Sequence, residues 1–247
     1  MQKIANTNTL DPMREQSSNV SERWLGSILE TPIGRNQQGA LERVPALATS
    51  WTRIDARTVE LQLRDGVRMH NGDVLTAEDV AFSFGPERMF GPALPADIRA
   101  VARRYWPALE RVEVLPGNRV RFVNATPDLT MEGRLAAGGS QVVSARAWRE
   151  GGDWQANSRR AVGTGPYRLV EFKPDTSMTL EAHDEYWGGR PPLRRIRFVE
   201  VPEAASRVAG LTKRFLGRAF SSLTRRSISA STLTRARRRC SRSCMHC

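Results

Sequence analysis

Acidic residues stop at Glu203, and this limits what the chain can fold more than any other feature. The last 37 residues, 211–247, hold ten Lys and Arg and no Asp or Glu. At their earlier frequency about four or five acids would be expected there. The chain's formal charge is +12, but 28 of its 38 basic residues lie in 1–210 against all 26 acidic ones, a net of only +2. A basic pI suggests nucleic acid or an anionic membrane only when the charge forms a surface feature of the fold. Here the excess sits in one terminal segment, so the nearly neutral first 210 residues must supply the core.

That segment ends in ARRRCSRSCMHC and carries all three cysteines, Cys240, Cys244 and Cys247, beside His246. The C-x3-C-x2-C spacing suits thiolate ligation of an iron-sulfur cluster. Here it closes the chain, leaving no residues to build a surrounding shell. Adventitious zinc binding is the chemically simpler outcome, and we expect no cofactor and no metal site. An arginine-rich tail also attracts phosphate backbones whatever its purpose, so a basic nucleic-acid-binding protein is the alternative reading. With only Phe215 and Phe220 for stacking, no specific nucleic acid is expected.

The first 210 residues mix helical and strand periodicities. Val20, Trp24, Leu25, Ile28 and Leu29 recur at helical spacing and stop at Thr31-Pro32, after an opening strand at 3–7 and a turn at Leu10-Asp11-Pro12. Pro45 suits the first turn of a short helix carrying Leu47 and Trp51. Val59, Leu61 and Leu63 alternate as a strand ended by Asp65-Gly66. Asn71-Gly72-Asp73 turns the chain, and Thr76 with Asp79 predicts a capping box that opens a helix through Val80, Phe82 and Phe84. Residues 85–109 read as a peripheral insertion with a helix near Ile98 to Trp106. Val112 and Val114, a turn at Pro116-Gly117-Asn118, then Val120 and Phe122 predict a hairpin. Asp128 is expected to cap a helix through Leu135 that ends at Gly138-Gly139. Tyr167, Leu169 and Phe172, then Lys173-Pro174-Asp175, then Met178, Leu180 and Ala182 predict a second hairpin. Ile196, Phe198 and Val201 give a further strand, and a helix begins at 203–211. Without a regular βαβ rhythm the class is α/β in the broad sense, a mixed α+β architecture.

Sites of covalent chemistry are absent from these patterns. His70 with Asp73 and Glu78, and His183 with Asp184 and Glu185, sit beside turn signals and read as hydrated turns. Gly163-Thr164-Gly165 lacks the third glycine, the lysine and the helix of a phosphate loop, and Pro166 removes an amide donor. No G-x-S-x-G occurs. The expectation is that the protein is not an enzyme.

Read together, PALATSW (45–51), LQLRDGVRMHNGDVLTAEDVAFSF (61–84), VGTGPYRLVEFKP (162–174) and LEAHDEYWGGRPPLRRIRF (180–198) resemble the family 5 extracellular solute-binding proteins of bacterial ABC transporters, the peptide, dipeptide, oligopeptide and nickel group. The resemblance implies a periplasmic-binding-protein-like class II fold whose two lobes trap a solute and close by a hinge, with ABC permease subunits of the inner membrane as partners. Peptides or other small solutes would be the ligands of a monomeric protein. It implies 1–30 and 156–210 as parts of lobe one and 31–155 as a peripheral domain, with the second lobe missing and 211–247 an aberrant tail from a frameshift. The candidate ligand-binding residues it suggests are Leu10, Met13, Arg14, Gly163 and Thr164. A fragment of this kind is expected to bind weakly or not at all. The family is periplasmic or extracellular, whereas MQKIANTNTLDPMREQSS has no apolar stretch like a signal peptide, which points to the cytoplasm if Met1 is the true start.

Overall fold

A computed structural model describes residues 9–14 and 24–200. The expected strand at 3–7, the first part of the following helix, the reach of the last strand to Val201, the helix at 203–211 and the tail lie outside the described residues. All described elements belong to one compact unit, and it is mixed α/β. No described helix is long and apolar enough to cross a membrane.

A small sheet pairs β1 (Ile33–Arg35) with β2 (Arg43–Pro45). A second sheet contains β3 (Ala48–Arg53), β4 (Thr58–Leu63), β5 (Leu109–Leu115) and β6 (Arg119–Asn124) in the antiparallel order β3-β4-β6-β5. The predicted alternation is its packing face: Leu61 sits opposite Val120 and Val59 opposite Phe122, all fully buried. Against this face lie α1 (Ala77–Ser83), a π-helical turn (Pro86–Phe90), α2 (Ala96–Tyr105) and α3 (Met131–Leu135). Phe84 meets the edges of Phe122 and Trp106 at centroid distances of 5.0 and 5.1 Å, a geometry that aromatic quadrupoles favour. The insertion at 85–109 is therefore not peripheral to the packing, since Met89, Ile98, Ala102 and Trp106 are part of this core.

A third sheet, β7 (Tyr167–Lys173), β8 (Ser177–Ala182) and β9 (Arg195–Val199), is antiparallel in that order. Met178, Leu180 and Ala182 cover a second core with Leu10, Leu25, Ile28 and Leu29. Two short helices, α4 (Ala145–Glu150) and α5 (Trp154–Asn157), precede this sheet.

Local signals explain most boundaries. Gly117 and Asn118 both have positive φ, +77° and +54°, as a tight primed hairpin turn requires. Asp175 reaches φ +53° in the β7–β8 turn, and the bend before Phe172 is a bulge between Leu169 and Glu171. Thr76 and Asp79 form the expected capping box. The aspartate does more than a glutamate would there, because its other oxygen accepts the Ala145 amide at 2.9 Å and ties α1 to α4.

Two further expectations are corrected. Residues 48–53 form β3, not a helix after Pro45. Leu47 and Trp51 stand four apart, a spacing that puts two side chains on one face of a strand as readily as of a helix. Pairing with β4, Trp51 opposite Leu61, decides between them. Asp128 does not cap α3; the cap position is Thr130, whose side chain makes no capping bond to the helix. Asp128 instead accepts the Thr130 amide at 2.8 Å and hydroxyl at 2.6 Å and pairs with Arg134, shaping the turn before the helix.

The second core closes where Gly163-Thr164-Gly165 passes residues 27–29. Gly165 N–H donates to Ile28 O at 3.0 Å and Tyr167 N–H to Ser27 O at 2.9 Å. A Cβ on Gly165 would stand 2.6 to 2.7 Å from Ile28 C and O and Ser27 O, all backbone atoms. Gly165→Ala is accordingly expected to lower unfolding free energy by about 2–3 kcal/mol, measured by urea denaturation. A loss below about 0.5 kcal/mol, the level of a neutral surface change, would show that the close approach is not fixed.

Candidate functional site

The five candidate residues fall on two structures, the loop at 9–14 and the turn at 163–165. Leu10 and Met13 are each 1 % exposed, and they belong to different cores, Leu10 to the second and Met13 to the first. The loop therefore straddles the two packing centres. Leu10 N–H donates to Ser158 O at 2.6 Å, just past α5. Asp11 Oδ1 accepts both the Met13 amide and Arg88 Nη2 at 2.7 Å. Arg14 is the one member of the loop with an exposed charged head. It pairs with Asp97 of α2 at 2.6 Å and lies 4.4 Å over the Trp154 ring.

An arginine held between a carboxylate and an indole can offer its remaining N–H donors to a solute carboxylate or carbonyl. A groove of about 550 Å³, lined in part by Asp73, Glu78, Arg146 and Arg149, shares no residue with this loop. Its arginines are already engaged, Arg146 with Asp73 at 2.7 Å and Arg149 with Glu87 at 2.9 Å.

Gly163 and Thr164 are buried, and their neighbours are protein groups. A Cβ on Gly163 would sit 2.5 Å from Leu29 Cδ2 and 2.9 Å from Ile28 O. Around this turn the two histidines expected in hydrated turns are packed against protein, His183 buried and His70 half-buried, which corrects that reading. His70 N–H donates to Gly163 O at 2.9 Å, and Gly163 N–H donates to His70 Nδ1 at 3.3 Å. Nδ1 is therefore the unprotonated nitrogen, and Nε2–H donates to Gly165 O at 3.0 Å. His183 shares that acceptor through Nδ1 at 3.4 Å and meets His70 edge-on at 5.1 Å. Burial lowers the His70 pKa to about 4, assisted by the neighbouring His183 and Arg168 charges and opposed by the Gly165 carbonyl. Composition could not reveal this, since both rings reach one backbone oxygen rather than a neighbouring acid.

Glu30, which the sequence did not single out, forms a clasp beside the same turn. Its carboxylate accepts Tyr186 O–H and Trp187 Nε1–H, each at 2.8 Å, and Arg64 lies 4.2 Å over the Trp187 ring. Burial pushes the Glu30 carboxyl above its usual range, against the hydrogen bonds from Trp187 and Tyr186 and the Arg64 charge. The Tyr186 hydroxyl is also raised, by burial and then by the adjacent Glu30. Trp187 lies between β8 and β9 of the third sheet yet packs on the first core. Among the described residues no three His, Cys, Asp or Glu side chains converge as a metal site.

The comparisons fit this architecture. The family model for bacterial extracellular solute-binding proteins, family 5 Middle, matches residues 42–215, and the chain belongs to that family. It is similar to Heme-binding protein A of Haemophilus influenzae, with 31% identity over 192 residues, covering 71% of this chain and 35% of that protein. It is similar to the dipeptide-binding protein of Escherichia coli, with 28% identity over 192 residues, 71% of this chain and 36% of the relative. In solved structures, the PBP/SBP MoaA from A. tumefaciens R10 in complex with mannopinic acid superposes with a TM-score of 0.73 at 25% identity, over 85% of this chain and 42% of that one. The chain spans about a third of the length of the curated relatives it matches.

The His70 geometry fixes a pH dependence. A histidine whose folded pKa lies below its unfolded value stabilises the fold fully above about 6.5, and the contribution is lost as pH falls towards about 4. Relative to His70→Gln, the wild-type chain is expected to lose up to about 3 kcal/mol between these limits, measured by urea denaturation at stepped pH. A difference that stays constant across the window would contradict the buried neutral ring.

Proposed function

We propose that this chain is part of the solute-binding component of an ABC import system, taking a peptide or a solute of similar size and passing it to permease subunits of the inner membrane. The family match over 42–215 carries this reading. Its chemistry is binding without covalent change, and the open-to-closed equilibrium of the lobes is what solute would shift. The relatives' names, heme-binding and dipeptide-binding, and a mannopinic acid complex show solutes of quite different chemistry on one scaffold. The scaffold alone does not choose the solute; the side chains at its cleft do. We assign 1–30 and 156–210 to lobe one and 31–155 to the peripheral domain, with the loop at 9–14 facing the cleft between lobes and Arg14 as its contact. The family's location supports a working protein in the periplasm or outside the cell.

Arg14, Asp97 and Trp154 form a small contact surface, so affinity should be in the millimolar range, about −4 kcal/mol. Titration of the ¹⁵N-labelled 247-residue chain with Ala-Ala-Ala, followed by NMR, is expected to give saturable shifts at Met13, Arg14, Asp97 and the Trp154 indole. Shifts elsewhere only, or none alongside salt-sensitive binding of a DNA duplex that is lost on deleting 211–247, would overturn the reading in favour of the basic tail.

A further inference from the structure

Arg88 is buried where an arginine is costly. Its side chain is 2 % exposed and that of its partner Asp11 is 0 %. Among the described residues no group satisfies Asp11 Oδ2 or Arg88 Nε and Nη1. A dry ion pair that leaves hydrogen-bonding capacity unused adds little to stability over apolar side chains of the same size. The geometry shows what it does instead. Asp11 Oδ1 holds Arg88 Nη2 and the Met13 amide at once, both at 2.7 Å, while the Thr9 hydroxyl accepts the Asp11 amide at 3.1 Å. These bonds set the backbone at 11–13, and Arg14 is the next residue.

The arginine itself is immobilised. It projects from the π-helical turn, a backbone irregularity that recurs at functional sites. The turn is bounded by Gly85 and Gly91, where a Cβ would stand 2.8 Å from Ala81 O and 2.7 Å from Pro86 O. The guanidinium is stacked 4.4 Å over the Trp148 ring. So placed, Arg88 is shielded from solvent, and its influence runs through the loop.

We propose that Arg88 is a positioning residue: through Asp11 it fixes the loop so that Arg14 rests on Trp154 and Asp97, and it supplies this geometry rather than stability. The link from Arg88 to Arg14 stands on the structure; its bearing on binding rests on the solute-binding reading above.

The test compares the full wild-type chain with Asp11→Leu/Arg88→Met, which removes both charges together. Arg88→Met alone serves as the control that leaves the Asp11 charge buried. For the double variant the account expects a Tm within about 3 °C of wild type, displaced or broadened Arg14 Nε–H and Trp154 indole signals, and about tenfold weaker binding of Ala-Ala-Ala. Arg88→Met alone should melt well below both. A double variant that unfolds, or one whose Arg14 and Trp154 signals match wild type, overturns the proposal. If wild type itself does not bind Ala-Ala-Ala, the solute-binding reading fails for that probe, while the Arg14 and Trp154 signals still decide whether Arg88 positions the loop.

Discussion

The described fold depends on one close passage of backbone against backbone, where Gly163-Thr164-Gly165 runs past Ile28. Two glycines admit the approach because any side chain would enter the Ile28 carbonyl. Once there, the turn offers carbonyls and amides that a buried environment must satisfy. His70, at the end of the segment leaving the four-stranded sheet, takes three of those bonds, and His183 shares one of the same acceptors. Glu30, with Tyr186 and Trp187, closes the neighbouring seam. Two hydrophobic cores built from separate sheets are thereby bolted together with polar groups whose geometry is far more specific than apolar contact.

The loop at 9–14 uses the same seam differently. Leu10 anchors in one core and Met13 in the other, so the residues between them bridge both. The buried Asp11–Arg88 pair sets the bridge, and Arg14 emerges at its end against Asp97 and Trp154. A binding surface supported in this way gains affinity through preorganisation, because little order remains to be imposed when a solute arrives.

The sequence made the hairpins legible because their turns need residues that tolerate positive φ, and Gly117, Asn118 and Asp175 stand at those positions. The Thr76 capping box was legible for a similar local reason. Residues 48–53 were misread because a spacing of four serves both periodicities and only the partner strand decides. The π-helical turn leaves no periodic signal, and Arg88 looks like any surface arginine until its partner 77 residues away is placed beside it. Glu30 was invisible for the same reason, since its donors are 156 and 157 residues distant. The family resemblance drew attention to 9–14 and 163–165, but the distinction between the exposed Arg14 and the buried Gly163 and Thr164 belongs to tertiary packing.

The central physical claim is that the turn at 163–165 makes the two cores one cooperative body. Native-state hydrogen exchange in low urea tests it directly, through the buried amides of Val59 and Leu61 in one sheet and Leu180 and Ala182 in the other. The account predicts that these amides open with the same free energy and the same urea dependence, as they would in a single global unfolding. Two sets of amides with separate free energies, one sheet opening while the other stays protected, would contradict it.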